Sequence, residues 1–257
     1  MVNVVLYEVD GPVATLTLNR PDRANTVTLE LRSELQRLAQ EAANDTAIRV
    51  LIVTGAERHF CGGADLRVPR GDPNLIRQPN DPVLGLDWVP KPVIAAINGA
   101  AMGAGCEIAL GCDFRYISAT AKIGLTEIRF GALPMGGGTA RLPRLVGIAA
   151  ARRLIMIGEP IEAEEALSIG LVDRICAPES LLADARELAL KLASRAPYAM
   201  RAAKRLLNES LDQTLATSLR MEVDLVSKMG TPEERQAARD EAAAQSSTYA
   251  GIFGKKD

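Results

Sequence analysis

The chain has 257 residues, 47% of them hydrophobic and 24% charged, with a formal net charge of -2. That length can bury one substantial core, or a core plus an appendage, and the near-balanced charge gives no support to a nucleic-acid or membrane-surface role. Four cysteines, Cys61, Cys106, Cys112 and Cys176, show no Cys-x-x-Cys spacing, and with the single histidine His59 they are too few for a metal site. They read as reduced thiols of a cytoplasmic protein. The amino terminus alternates like a strand pair and has no charged stretch leading into an apolar one, so neither a signal peptide nor a membrane span is expected.

Val4 to Val9 and Val13 to Leu18 read as a hairpin turned by Asp10-Gly11-Pro12. A helix is expected from Thr28 as N-cap, with Leu31, Leu35 and Leu38 on its inner face. Val50 to Thr54 is a buried strand, and residues 56–67 then read as a loop in which Gly62-Gly63 frees the backbone before Ala64-Asp65-Leu66. From Arg67 to Asp87, Pro69, Pro73, Pro79 and Pro82 with Gly71, Asn74 and Asn80 argue against regular structure; so long a loop in a compact domain is usually functional or mobile.

Residues 93–113 organise the rest. Val93 to Ile97 is a short apolar strand, Asn98-Gly99 and Gly103-Ala104-Gly105 break it, and a helix follows from near Ala104. The first turn of that helix leaves backbone N–H groups without acceptors, at the positive end of its dipole, which suits an oxygen acquiring negative charge. Glu107 is the only ionised group in an otherwise apolar run from Val93 to Cys112, so either a partner holds it or it becomes a proton-transfer group. Phe114 to Ser118 reads as a strand, and Lys122 to Phe130 as extended but interrupted. Gly131 to Gly138 reads as a flexible turn before a helix beginning near Thr139. Beyond Gly147 helical periodicity dominates, over Ala149 to Ile157, Glu162 to Ile169, Glu179 to Ala193, Tyr198 to Leu211 and Leu215 to Met229, with one strand at Leu171 to Cys176.

Two Gly-rich turns, 62–65 and 103–105, each follow a strand. Two N–H donors converging on one carbonyl oxygen would make an oxyanion hole, worth about 3–4 kcal/mol per donor in a transition state. Neither turn has the spacing of a dinucleotide or Walker phosphate loop. Glu127 lies among Ile123, Leu125, Ile128 and Phe130, a second carboxylate in apolar company. Brought near Glu107, it would form a pair able to orient a water, take its proton and return a proton to carbon. His59 has no acid or nucleophile around it and reads as structural or surface, and Cys106 and Cys112 as packing residues.

Taken together, five ordered blocks resemble the enoyl-CoA hydratase/isomerase family, the crotonase superfamily. They are Arg20 to Thr28, His59 to Leu66, Lys91 to Asp113, Ile123 to Gly147 and Ala163 to Ile175. The resemblance implies an α/β fold, a crotonase-like spiral of ββα units, with a core at 1–195 and a C-terminal helical layer at 196–257 that forms a homotrimer or a dimer of trimers. It implies that the N–H groups of Ala64 and Ala104 hold the thioester oxygen of an acyl-CoA, and that Glu107 and Glu127 match the two acid/base glutamates of the hydratases. Coenzyme A is then part of the substrate, with no separate cofactor, no metal and no nucleic-acid or membrane partner. By the same analogy Arg23 and Ala24 lie beside the CoA moiety. Gly63, Ala64, Asp65, Leu66 and Arg67 follow the pantetheine, Arg67 reaching toward a phosphate, and Leu133, Pro134 and Gly137 line the thioester end.

Three features depart from the family pattern. Met135 stands where many members have glycine, the final segment lacks the Phe-x-x-Lys-Arg pattern and leaves Phe253, Lys255 and Lys256 without a role, and Arg67 to Asp87 matches no assignable pattern. That last segment, with Leu84, Leu86 and Trp88, is expected to bound the acyl pocket. Retention of both glutamates points to water addition across a 2-enoyl-CoA. The alternatives are a Δ3,Δ2-enoyl-CoA isomerase or another acyl-CoA enolate enzyme, and, in a different class, a non-catalytic binding or assembly protein.

Overall fold

The computed structural model describes residues 3–65, 67 and 85–245. Leu66, most of the segment expected to bound the acyl pocket, and Phe253, Lys255 and Lys256 lie outside them. The chain divides into two compact units, Met1–Leu192 and Ala193–Asp257.

The first unit is built by a chain that alternates between two sheets. β1 (Val5–Asp10) and β2 (Val13–Leu18) form the antiparallel hairpin, and α1 (Leu29–Asn44) starts where Thr28 accepts from the Leu31 N–H. β3 (Val50–Gly55), β5 (Val93–Ile97), β7 (Phe114–Ser118) and β10 (Arg174–Cys176) join the hairpin in a six-stranded sheet ordered β1-β2-β3-β5-β7-β10. After β3, β5 and β7 the chain turns into a second sheet through β4 (His59–Cys61), β6 (Ala100–Met102) and β8 (Lys122–Gly124), which β9 (Ile161–Glu162) completes. β6 leads into α2 (Ala104–Leu110), β8 into a 3-10 turn and α3 (Gly138–Ile157), and β9 into α4 (Ala163–Ser168) and then β10; α5 (Leu181–Ala193) closes the unit. The result is a repeated ββα turn. β3 and β5 are buried along their whole length, as expected of apolar, mostly parallel central strands covered on both faces.

Four readings of the sequence change. The loop expected over 56–67 contains β4, and the break expected after Ile97 contains β6, because three-residue strands are too short to show an alternation. Glu127 opens a 3-10 turn, Glu127–Phe130, rather than lying in an irregular strand. Helix α3 bends at Gly147, whose φ of 78° is left-handed, and the bend explains why periodicity restarts there.

Glycines set the corners between the sheets. A Cβ on Gly55 would stand 2.0 Å from the His59 carbonyl, and one on Gly99 1.9 Å from that of Arg58, so each corner packs on backbone. Asn98 ties neighbouring corners, its Oδ1 accepting from the Gly55 N–H and its Nδ2 donating to the Glu57 carbonyl.

The second unit holds α6 (Pro197–Ser210), α7 (Leu215–Lys228) and α8 (Pro232–Gln245). α8 was not legible from periodicity because it is Ala-rich and polar. Its start is nevertheless written as a capping box, Thr231 accepting from the Glu234 N–H while the Glu234 carboxylate accepts from the Thr231 N–H. Leu207, Leu211, Leu215, Leu219 and Val223 leave an apolar stripe exposed on α6 and α7.

A buried cation caps α1. Lys91, 8% exposed, donates to the carbonyls of Ala42 at 2.6 Å and Asp45 at 2.5 Å, where the helix leaves acceptors unsatisfied. Lys91→Met is expected to lower unfolding stability by about 2–3 kcal/mol, read as a lower urea midpoint at unchanged slope.

Candidate active site

The geometry starts from two turns that touch. β4 and β6 pair in parallel, so the turns that follow them lie side by side. Where they meet, side chains are excluded: a Cβ on Gly105 would fall 2.3 Å from the Cys61 carbonyl, and one on Gly63, already at φ 107°, 3.1 Å from that of Met102. Ala64 bridges Val27 through its neighbours, the Val27 N–H donating to the Gly63 carbonyl and the Asp65 N–H to the Val27 carbonyl. A parallel bridge of this form turns the Ala64 N–H to the opposite side. Ala104 is the first residue of α2, so its N–H belongs to the helix turn that has no intrahelical acceptor.

Both glutamates come to this junction. Glu107, 3% exposed, sits one turn along α2 from Ala104. Its Oε1 accepts from the N–H of Gly136 at 2.5 Å and of Gly138 at 2.9 Å, at the amino end of α3. Those two backbone N–H groups are partners that hold and orient this buried carboxylate, which leaves its use in proton transfer open. Glu127 reaches the same place from the 3-10 turn: a Cβ on Gly103 would be 3.0 Å from its Oε1. Glu127 is half-buried, and its Oε2 is buried with no hydrogen-bond partner among the described residues. Burial pushes its carboxyl above the ordinary glutamate value. Both carboxylates are withdrawn from water, Glu107 the more fully; Glu107 is held by two backbone donors, while Glu127 keeps one oxygen unpartnered among the described residues.

The remaining residues sort by contact. Ala24, in a left-handed turn, accepts through its carbonyl from the Gly62 N–H, and Arg23 is exposed beside Asp22. Asp65 is buried and engaged by two arginines, Arg67 at 2.6 Å and Arg20 at 3.3 Å, which hold its carboxyl well below the usual range. Its side chain anchors the turn, while Arg67 stays exposed. Leu133 and Met135 are exposed apolar residues flanking buried Pro134, and Gly137 is the left-handed N-cap of α3.

Two sets of residues escaped the sequence reading. Gly136 and Gly138, rather than Gly137, present the N–H groups to Glu107; a glycine run opening a helix is the signal that could have identified them. Asn25, fully buried at φ 53°, accepts from the Arg20 N–H and donates to the carbonyls of Ala56 and His59, fixing the turn that carries Arg23 and Ala24. A lone asparagine between Ala24 and Thr26 carries no periodic signal.

The sequence pattern of the enoyl-CoA hydratase/isomerase family matches residues 8–245. The chain belongs to that family. It is 37% identical over 243 residues to the short-chain-enoyl-CoA hydratase of Clostridium acetobutylicum, covering 92% of this chain and 93% of the relative. A 1,2-epoxyphenylacetyl-CoA isomerase of Escherichia coli is 36% identical over 233 residues, covering 87% and 89%. The crystal structure of an enoyl-CoA hydratase from Bacillus anthracis superposes with a TM-score of 0.79 at 36% identity, covering 87% of this chain and 90% of that one. The fold is that of the crotonase enzymes.

Desolvation of Glu127 has a consequence for stability. Its folded-state value is raised, so below the unfolded value both states are protonated and nothing is lost, whereas above the folded value the native state holds a buried charge. Glu127→Gln is expected to raise the thermal midpoint near pH 8 and to lose that advantage as pH falls to 4, read by melts across that range.

Proposed function

We propose that Glu107 and Glu127, with the Ala64 and Ala104 N–H groups, carry the addition of water across the 2,3 double bond of a short or medium 2-enoyl-CoA. The observation that carries this reading is the pair of unlike carboxylates gathered where two N–H-bearing turns meet. The chain is an enoyl-CoA hydratase. The two N–H groups polarise the thioester carbonyl and stabilise the enolate oxygen, where such donors act most strongly in a water-excluded site. Glu107, oriented by the Gly136 and Gly138 N–H groups, takes a proton from the water as it attacks C3. Glu127, inclined by burial to hold a proton, delivers one to C2, and the two share the water as a coupled pair.

The other assignments come from the likeness to the family. Arg23, Ala24 and the turn Gly63 to Arg67 lie along the CoA moiety, and Leu133, Pro134 and Gly137 beside the thioester end; coenzyme A enters only as part of the substrate. The exposed apolar stripe of α6 and α7 supports an interface there, and the likeness to the family supplies the expectation of a homotrimer or a dimer of trimers. No helix among the described residues is long and apolar enough to cross a membrane, which is compatible with a cytoplasmic enzyme.

Isomerisation of a 3-enoyl-CoA is the second reading, supported by a family description that joins hydratases with isomerases. It requires a proton to move between two carbons and no water to be activated, so a second carboxylate is less needed. Glu107→Gln and Glu127→Gln are each expected to lower hydration of crotonyl-CoA by about 10²–10⁴-fold, read by loss of the conjugated thioester absorbance. An unaffected hydration rate in Glu107→Gln would reject Glu107 as the base that activates water, and a parent enzyme that isomerises a 3-enoyl-CoA but hydrates no 2-enoyl-CoA would reject hydration in favour of isomerisation.

A further inference from the structure

Glu107 is held by a loop, and that loop is itself held. Gly136 stands between two charges: its N–H donates to Glu107 Oε1, and its carbonyl accepts from Arg141 Nη1 at 2.7 Å. Arg141, in the first turn of α3, also grips Asp87 with a fork, Nη2 lying 3.0 and 2.9 Å from the two carboxylate oxygens and Nε 3.2 Å from one of them. The guanidinium is closely boxed. A Cβ on Gly137 would be 1.9 Å from Nη1 and one on Gly85 2.2 Å from Nη2, so two glycines leave room for it.

The contacts close on themselves. Gly85 packs on the C-cap of α2, its Cα 2.4 Å from where a Cβ on Gly111 would stand, and Leu86 between them in sequence is 1% exposed. From Glu107 the path runs through Gly136, Arg141, Asp87 and Gly85 back to Gly111, four residues further along the chain than Glu107. The helix carrying the carboxylate and the loop donating to it are thus fixed to each other at a second point. Arg141 and Asp87 are 26% and 42% exposed, and pairs that wet contribute little to stability. Orientation is what the fork provides: a planar guanidinium holds one carboxylate and one carbonyl at fixed angles, which a lysine does not.

We propose that Arg141 and Asp87 are positioning residues for the hydration step, clamping Gly136 so that its N–H and that of Gly138 stay aimed at Glu107. The proposal rests on Glu107 as the carboxylate that activates water. Neither residue touches the reacting atoms in this account. Their loss loosens the orientation of Glu107 and leaves the binding of the CoA portion intact.

The test uses the full-length protein with Asp87→Asn, Arg141→Lys, Arg141→Met and the Asp87→Asn/Arg141→Lys double variant. Crotonyl-CoA hydration gives kcat and KM, and amide hydrogen exchange is followed over residues 134–140. Each single variant is expected to lose about ten- to a hundredfold in kcat with KM within about twofold, since misplacing a reacting group acts on the chemical step. The double variant falls no further than the worse single, because both residues act through one unit. Exchange at Gly136 and Gly138 quickens in each. A kcat within about twofold of the parent in Asp87→Asn and Arg141→Lys, with only a lowered melting point, overturns the proposal. So does unchanged exchange at those two amides. Asp87→Asn preserves size and decides the matter if Arg141→Met does not fold. If the parent hydrates no 2-enoyl-CoA, the functional reading fails, whereas the exchange measurement still decides the clamp.

Discussion

Close backbone contact between the turn after β4 and the turn after β6 is the constraint on which the site depends. Oxygen stabilisation by peptide N–H groups requires donors that do not reorganise as charge develops. The proposed donors would owe their placement to the fold: parallel pairing of β4 and β6 sets the turns side by side, and Gly63 and Gly105 let them approach to distances that no side chain would allow.

The acid and base roles proposed for the two glutamates call for different surroundings. Glu107, the more buried, faces the amino end of α3 and two backbone donors, while Glu127 Oε2 loses water with no hydrogen-bond partner among the described residues. The unpartnered oxygen is a local cost to folding of the kind expected where a site is organised for a reaction rather than for stability. Arg115 balances α2 from its other end. Buried, it donates to the carbonyls of Cys112 and Leu171 near the point where α2 stops, placing a cation by the negative end of the helix that carries Glu107.

Much of this was legible in the residues. The Asp-Gly turn of the hairpin, the Thr28 cap, the buried strands β3 and β5 and the start of α2 are local events with local signals, and each occurs within a residue or so of its expected place. β4 and β6 were not legible, since their pairing is a long-range event and three residues carry no pattern. Glu107 announced itself by being ionised in an apolar run, but its partner is contributed 29 residues later by backbone, which has no letter of its own in a sequence. Asp87 and Arg141 were invisible for the same reason, being 54 residues apart and each unremarkable alone.

The central claim is that the Ala64 and Ala104 N–H groups address one oxygen. A crystal structure of the enzyme with a bound saturated acyl-CoA tests it most directly. The thioester oxygen is expected about 2.7–3.1 Å from both nitrogens, with both carboxylates on the side of C2 and C3. An oxygen that meets only one of the two N–H groups, or a thioester lying away from Glu107 and Glu127, would contradict the account.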